Sequence, residues 1–196
     1  MTSGYSAENV LNMDETSFFY CLSPHRSITR NRIPGTKKNE KRITIALTTN
    51  ATGSFFIDPL FIGTAARPRC FNGRRPADLG FNYFCSKKGW MNSDIFNSCP
   101  KLVDCRMAEE QRKVVLLVDN APPHQVHDST DLTNVCLKML PPNTTACLQP
   151  HDAGIIASFK AKVKQRQLQN ALEQINQVVA GRQDRLYEVP LDVAMA

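Results

Sequence analysis

Val114-Val115-Leu116-Leu117-Val118 is an unbroken apolar run that stops at Asp119-Asn120, and Pro122 and Pro123 then prevent a strand from continuing. A run with no polar alternate reads as a strand buried on both faces, so the sheet that holds it needs a covering layer on each side. That requirement points to an α/β architecture. It also leaves the carboxylate of Asp119 at the carboxyl end of a central strand, facing the crevice where such sheets bind ligands.

Two further aspartates have comparable settings. Asp14, in Asn12-Met13-Asp14-Glu15-Thr16, opens a run from Phe18 to Leu22 that is rich in apolar and aromatic residues. Asp152, in Leu148-Gln149-Pro150-His151-Asp152, immediately precedes a long helical pattern. Carboxylates gathered from two strands and a helix suit a hard cation such as Mg²⁺, which takes oxygen ligands and keeps positions open for phosphate oxygens. Each also has a simpler reading: an Asp before a helix is a common N-cap, and an Asp before Asn-Ala-Pro is a common turn residue. Strand alternation directs Glu15 to the face opposite Asp14.

Periodicity predicts the remaining elements. A strand is expected over about 15–22, and the alternation of Ile43, Ile45 and Leu47 with Thr44, Ala46 and Thr48 marks a second. A third, at about 54–62, follows the Asn50-Ala51-Thr52-Gly53 turn. Residues 64–92 read as loop. Asn92-Ser93-Asp94 caps a helix expected to run to about Arg112 with an interruption at Pro100. The strand at 113–118 is followed by a short helix near 122–131 and a last strand at 135–140. From Ala153 to about Ala180, Ile155, Ile156, Phe159, Val163, Ile175 and Val179 can share one helical face.

A chain of 196 residues can bury a real core, roughly 70% of its unfolded surface at this size. No stretch approaches the about 18 consecutive apolar residues of a membrane span. The 7 cysteines are odd in number and widely scattered, reading as reduced thiols and not as a disulfide framework. His124-x-x-His127 lacks partner ligands at zinc spacing.

The formal net charge is +6 and is unevenly distributed. Arg26, Arg30, Arg32, Lys37, Lys38, Lys41 and Arg42 form one basic cluster. Arg67, Arg69, Arg74 and Arg75 form a second, and Lys160, Lys162, Lys164 and Arg166 a third, just past Asp152. Such clusters either solvate loops and a helix face or hold a phosphate backbone.

Several blocks together resemble the catalytic domain of the pogo/Tigger branch of the Tc1/mariner transposases, the DDE superfamily endonucleases. They are Asn12–Thr16, Gly35–Thr44, Thr49–Gly53, Pro59–Gly63, Arg67–Phe71, Lys88-Gly89-Trp90-Met91, Leu117–His124, Leu140–Thr145 and Leu148–Ile156, ending in Phe159-Lys160. The resemblance implies an RNase H-like fold: a mixed five-stranded sheet flanked by helices. It places the catalytic and metal-binding triad on Asp14, Asp119 and Asp152, with two Mg²⁺ or Mn²⁺ ions as cofactor. Asn120 and His124 become candidates to orient a ligand or touch phosphate, although turn formation and capping account for them equally well. His151 stands where the family has an apolar residue, and Gln165-Arg166 replaces an aromatic-plus-Arg pair.

The implied activity is metal-dependent cleavage and joining of DNA strands in the nucleus, with room for a homodimer or higher oligomer on the DNA. The alternatives are a domesticated DNA-binding or interaction module without catalysis, and a ribonuclease of the same fold. Family members carry helix-turn-helix modules ahead of this domain. The expected organisation is therefore a linker remnant at 1–11, the catalytic domain at 12–180 and a truncated segment at 181–196 of a longer transposase.

Overall fold

Alternation along the first strand sets the layering. In β1 (Val10–Phe19), Leu11 and Met13 enter one apolar cluster, whereas Phe18, two pleats on from Asp14, packs against a second cluster across the sheet. The computed structural model describes residues 2–21, 41–124, 131–142, 144, 148–182 and 189–196. β1 pairs antiparallel with β2 (Arg42–Asn50), which pairs antiparallel with β3 (Phe56–Gly63). On its other edge β1 runs parallel to β5 (Val114–Val118), and β5 runs parallel to β6 (Val135–Met139). All five residues of β5 are buried, as an unbroken apolar run between two layers requires.

The sheet has one strand more than expected. Asn82–Cys85 forms β4, an edge strand parallel to β3, giving the order β4-β3-β2-β1-β5-β6. The surrounding Gly and Pro residues mask it in the sequence, and only pairing with Leu60–Gly63 makes a strand of four residues persist. The mixed sheet with helices on both faces is RNase H-like.

The first strand starts at Val10 and not near Glu15, because Leu11 and Asn12 find partners in both β2 and β5. The preceding residues are fastened by Arg112, which donates to the Glu8 carbonyl at 2.9 Å and to Asn9 Oδ1 at 3.0 Å. α1 (Ser93–Glu109) starts at the expected Asn92 cap, whose Oδ1 accepts from the Ile95 amide at 2.9 Å. It continues through Pro100 without interruption. Side-chain donors add bonds in its first turns: Asn97 Nδ2 reaches the Ser93 carbonyl at 2.7 Å and Ser98 Oγ the Asp94 carbonyl at 3.1 Å. Ile95, Phe96, Cys99, Val103 and Met107 fill the core on this face.

After β5 only a single 3-10 turn, Pro122–His124, is seen; the rest of the expected short helix, residues 125–130, lies outside the described residues. His151–Ile155 forms a π-type turn that leads into α2 (Ile156–Val179). Ile156 is buried and Phe159 packs against Phe18 edge-on at 5.7 Å. The expected apolar face is not buried throughout, since Val179 is 83% exposed at the far end. A short α3 (Leu191–Met195) closes over the Ile43, Ile45 and Phe61 side of the sheet through Met195. The six described cysteines form no disulfide with one another.

Candidate active site

The three carboxylates come from the places the sheet makes available: mid-β1, the carboxyl end of parallel β5, and the turn that opens α2. Asp14 is nearly buried, 7% exposed, and its Oδ1 accepts from the Glu15 amide at 2.7 Å. Burial pushes its pKa up to about 7, with the charges of Asp152, then Glu15 and Asp119, adding to the rise and the Glu15 amide bond opposing it. Asp119 and Asp152 therefore lie within electrostatic reach of Asp14. Among the described residues, however, no three His, Cys, Asp or Glu side chains stand together as a ready ligand set for a metal ion.

Asp119 has a partner of its own. His124, 2% exposed, donates from Nδ1 to the Asp119 carboxylate and from Nε2 to Glu15 Oε1 at 3.1 Å. Its ring also stacks on Phe96 at 4.4 Å. Burial opposes the imidazolium charge, but the hydrogen bonds to Asp119 and Glu15 outweigh it and raise the pKa to about 10. The bond from His124 in turn holds the Asp119 carboxyl below its ordinary value. Glu15 does leave β1 on the face opposite Asp14, and it is there that His124 meets it. This clasp is what sequence reasoning missed. Its signal was a Glu directly after the first aspartate and a His five residues after the second.

Asp152 is carried differently. His151, immediately before it, is fully buried and donates from its backbone N–H at 3.2 Å, and from Nδ1, to Asn12 Oδ1. Because an amide oxygen only accepts, the ring proton sits on Nδ1 and Nε2 accepts from the Thr49 hydroxyl at 3.4 Å. Asn12 Nδ2 donates to the Leu117 carbonyl at 3.1 Å and to Gln149 Oε1 at 3.2 Å, and Gln149 Nε2 donates to the Met13 carbonyl at 3.2 Å. Burial depresses the His151 pKa to about 4, so the ring is neutral at pH 7. Each amide is satisfied, which is the condition for such a network to rigidify a site. It links Asp152 to the residues just before Asp14 and Asp119.

Of the other expected residues, Asn120 is exposed beside Asp119. Lys41, Arg67, Arg69, Arg74, Lys160, Lys162, Lys164 and Arg166 are exposed, and Arg42 is half-buried against Trp90. Arg75 is engaged by Asp78, with contacts of 3.0 and 2.8 Å. Arg26, Arg30, Arg32, Lys37 and Lys38 lie outside the described residues, as does His127.

Comparison with known proteins identifies a family. The family described as DDE superfamily endonuclease matches residues 40–188, a stretch that contains Asp119 and Asp152 and begins after Asp14. The chain is 31% identical over 165 residues to the Jerky protein homolog of Homo sapiens, covering 80% of this chain and 29% of that protein. It is 30% identical over 173 residues to the major centromere autoantigen B of Mus musculus, covering 88% of this chain and 28% of that protein. It is also 30% identical over 162 residues to the Tigger transposable element-derived protein 4 of Mus musculus, covering 82% and 31%. The chain thus spans about three-tenths of the length of these relatives. Among solved structures, the Mos1 transposase paired-end complex with left transposon end gives a TM-score of 0.48 at 16% identity, covering 80% of this chain and 42% of that one. With a family match across most of its length, this chain belongs to the DDE superfamily endonucleases and is pogo/Tigger-like.

Proposed function

We propose that this chain is the catalytic core of a DDE-type transposase, a metal-dependent endonuclease that cleaves and joins DNA phosphodiesters in the nucleus. What supports this reading is that Asp119 and Asp152 both lie within electrostatic reach of the buried Asp14 carboxyl, whose pKa is raised to about 7. Like charges held in one pocket are in tension until a cation joins them, and an all-carboxylate donor set matches Mg²⁺ or Mn²⁺. Asp14, Asp119 and Asp152 are the residues that would hold two such ions. When bound, the ions supply Lewis-acid stabilisation of charge at a phosphodiester.

The chain's own residues account for the rest. The His124 imidazolium keeps Asp119 ionised and fixes its orientation. Asn12, Gln149 and neutral His151 hold the backbone that presents Asp152. Lys41, Arg42, Arg67, Arg69, Arg74, Lys160, Lys162, Lys164 and Arg166 offer positive charge for the DNA backbone, together with the cluster from Arg26 to Lys38. Phosphate contacts of this kind position a strand without reading its sequence, so binding is salt-sensitive and largely nonspecific.

The test is Mn²⁺- or Mg²⁺-dependent nicking of supercoiled DNA. Asp119→Asn and Asp152→Asn abolish it on this reading; cleavage that persists in either variant removes that residue from the site.

A second reading is supported by the engagement of Asp119 with His124. In it, the chain is a domesticated DNA-binding or interaction module that keeps the fold without the chemistry. Saturable Mn²⁺ binding with a rise in melting temperature favours the enzyme, and an unresponsive protein favours the module.

A further inference from the structure

A cleft of about 270 Å³ adjoins the His124 clasp, and the function above does not use it. It is lined by Glu15 and His124, which form the clasp on Asp119, and by Thr16, Thr44, Arg42 and Trp90. Its size falls below the roughly 300–1,000 Å³ typical of sites for drug-sized ligands, so it suits a smaller flat group.

Trp90 is the feature that calls for a ligand. Its indole is 58% exposed, yet the turn that carries it is closely held. Ser86 Oγ bonds both ends of the Trp90 backbone, accepting from its amide at 2.9 Å and donating to its carbonyl at 2.7 Å. Thr44 Oγ1 donates to the Gly89 carbonyl at 2.7 Å, and Arg42 Nη2 to the Lys88 carbonyl at 3.0 Å. Gly89 sits at φ +65 with its Cβ position 3.2 Å from Thr64, a conformation and closeness that favour glycine. The Arg42 guanidinium lies over the indole at 5.0 Å. The turn thus presents a fixed, solvent-facing aromatic plate with a cation against it, flanked by exposed Lys87 and Lys88.

We propose that this cleft receives one unstacked nucleobase of the DNA strand, stacked against the Trp90–Arg42 pair. Aromatic plates bordered by positive charge bind exposed bases through their π-faces, with little dependence on which base it is. Glu15 and the Thr16 hydroxyl add hydrogen-bonding capacity at the cleft wall. His124 lines this cleft and also bonds Asp119, so a base held here lies on the Asp119 side of the site. The inference rests on the nucleic-acid reading above.

Trp90 is the only tryptophan in the chain, so its emission reports on this cleft alone. The experiment uses the whole chain without divalent metal and follows two signals: Trp90 fluorescence and the anisotropy of a labelled single-stranded oligonucleotide. An abasic oligonucleotide of equal length is the control. The expected result is saturable quenching by the base-bearing strand and little by the abasic one. Trp90→Ala should weaken strand binding about 5- to 100-fold while Trp90→Phe retains most of it, with circular dichroism showing both variants folded. If the strand binds but the emission is unchanged, or abasic DNA quenches equally, or Trp90→Ala binds as tightly, the cleft is not a base receptor and the nucleic-acid reading stands. If the unaltered chain binds no strand at all, the nucleic-acid reading falls and this inference with it.

Discussion

Asp119 is held by a charged imidazole stacked on Phe96 and paired with a second acid, whereas Asp152 rides on a backbone that neutral amides and a neutral imidazole fasten to β1 and β5. Both histidines are almost fully buried, yet one is driven toward pKa 10 and the other toward 4. The difference lies in the partners. Two carboxylates stabilise the imidazolium, while an amide oxygen and a hydroxyl leave burial to dominate. One protein interior therefore contains a charged anchor and a neutral one, and they should fail in different ways.

The largest effect should come from breaking the charged anchor. His124→Ala leaves Asp119 and Glu15 without their shared cation and is expected to cost about 3 kcal/mol in a denaturant titration. A loss no larger than that of an exposed ion pair would mean the clasp contributes nothing special. Asn12→Ala attacks the neutral anchor, stranding Gln149 and His151, and should cost roughly 2 kcal/mol. Because it removes no charge, its cost should be insensitive to salt.

The pH dependence separates the two anchors. His124 has a raised folded pKa, so its stabilisation is complete below its unfolded value of 6.5 and is lost as pH rises through about 10. His151 has a depressed one, so its stabilisation is present above 6.5 and is lost as pH falls through about 4. The stability gap between the parent chain and His124→Ala should narrow on the alkaline side, and the gap to His151→Leu on the acid side. Narrowing at the same end for both variants would refute the assignment of charge states.

Asp14→Asn should act more gently and in the opposite direction. The raised Asp14 pKa means the parent chain loses stability as pH climbs from 3.8 through about 7, so the amide should stabilise the metal-free protein at pH 8. The same variant should erase any rise in melting temperature on adding Mn²⁺. The smallest effect is expected at Arg75, which is exposed and pairs with Asp78. Arg75→Ala should leave the unfolding midpoint unchanged and alter, at most, the salt dependence of DNA binding.

Much of this arrangement was legible in the residues. The unbroken β5 run, the alternation in β2 and the Asn92 cap announce their elements because each depends on local period or local capping. The first strand was read five residues late, since Asn12 interrupts the apolar pattern. That interruption is the network residue, a polar side chain at a core position that only its partners explain. The edge strand β4 stayed hidden for a related reason: its four residues acquire strand character from β3 and not from their own sequence.

Sequence alone determined which residues are acidic, where the buried strand stops, and hence that carboxylates sit at the ends and middle of adjacent elements. Only the tertiary structure decided which acid meets which base. Glu15 and His124 are 109 residues apart, and Asn12 and Gln149 are 137 apart. The pKa values of Asp14, His124 and His151 arise from burial and neighbours that exist only once the sheet has closed, because desolvation and Coulomb energy depend on distance in space and not along the chain.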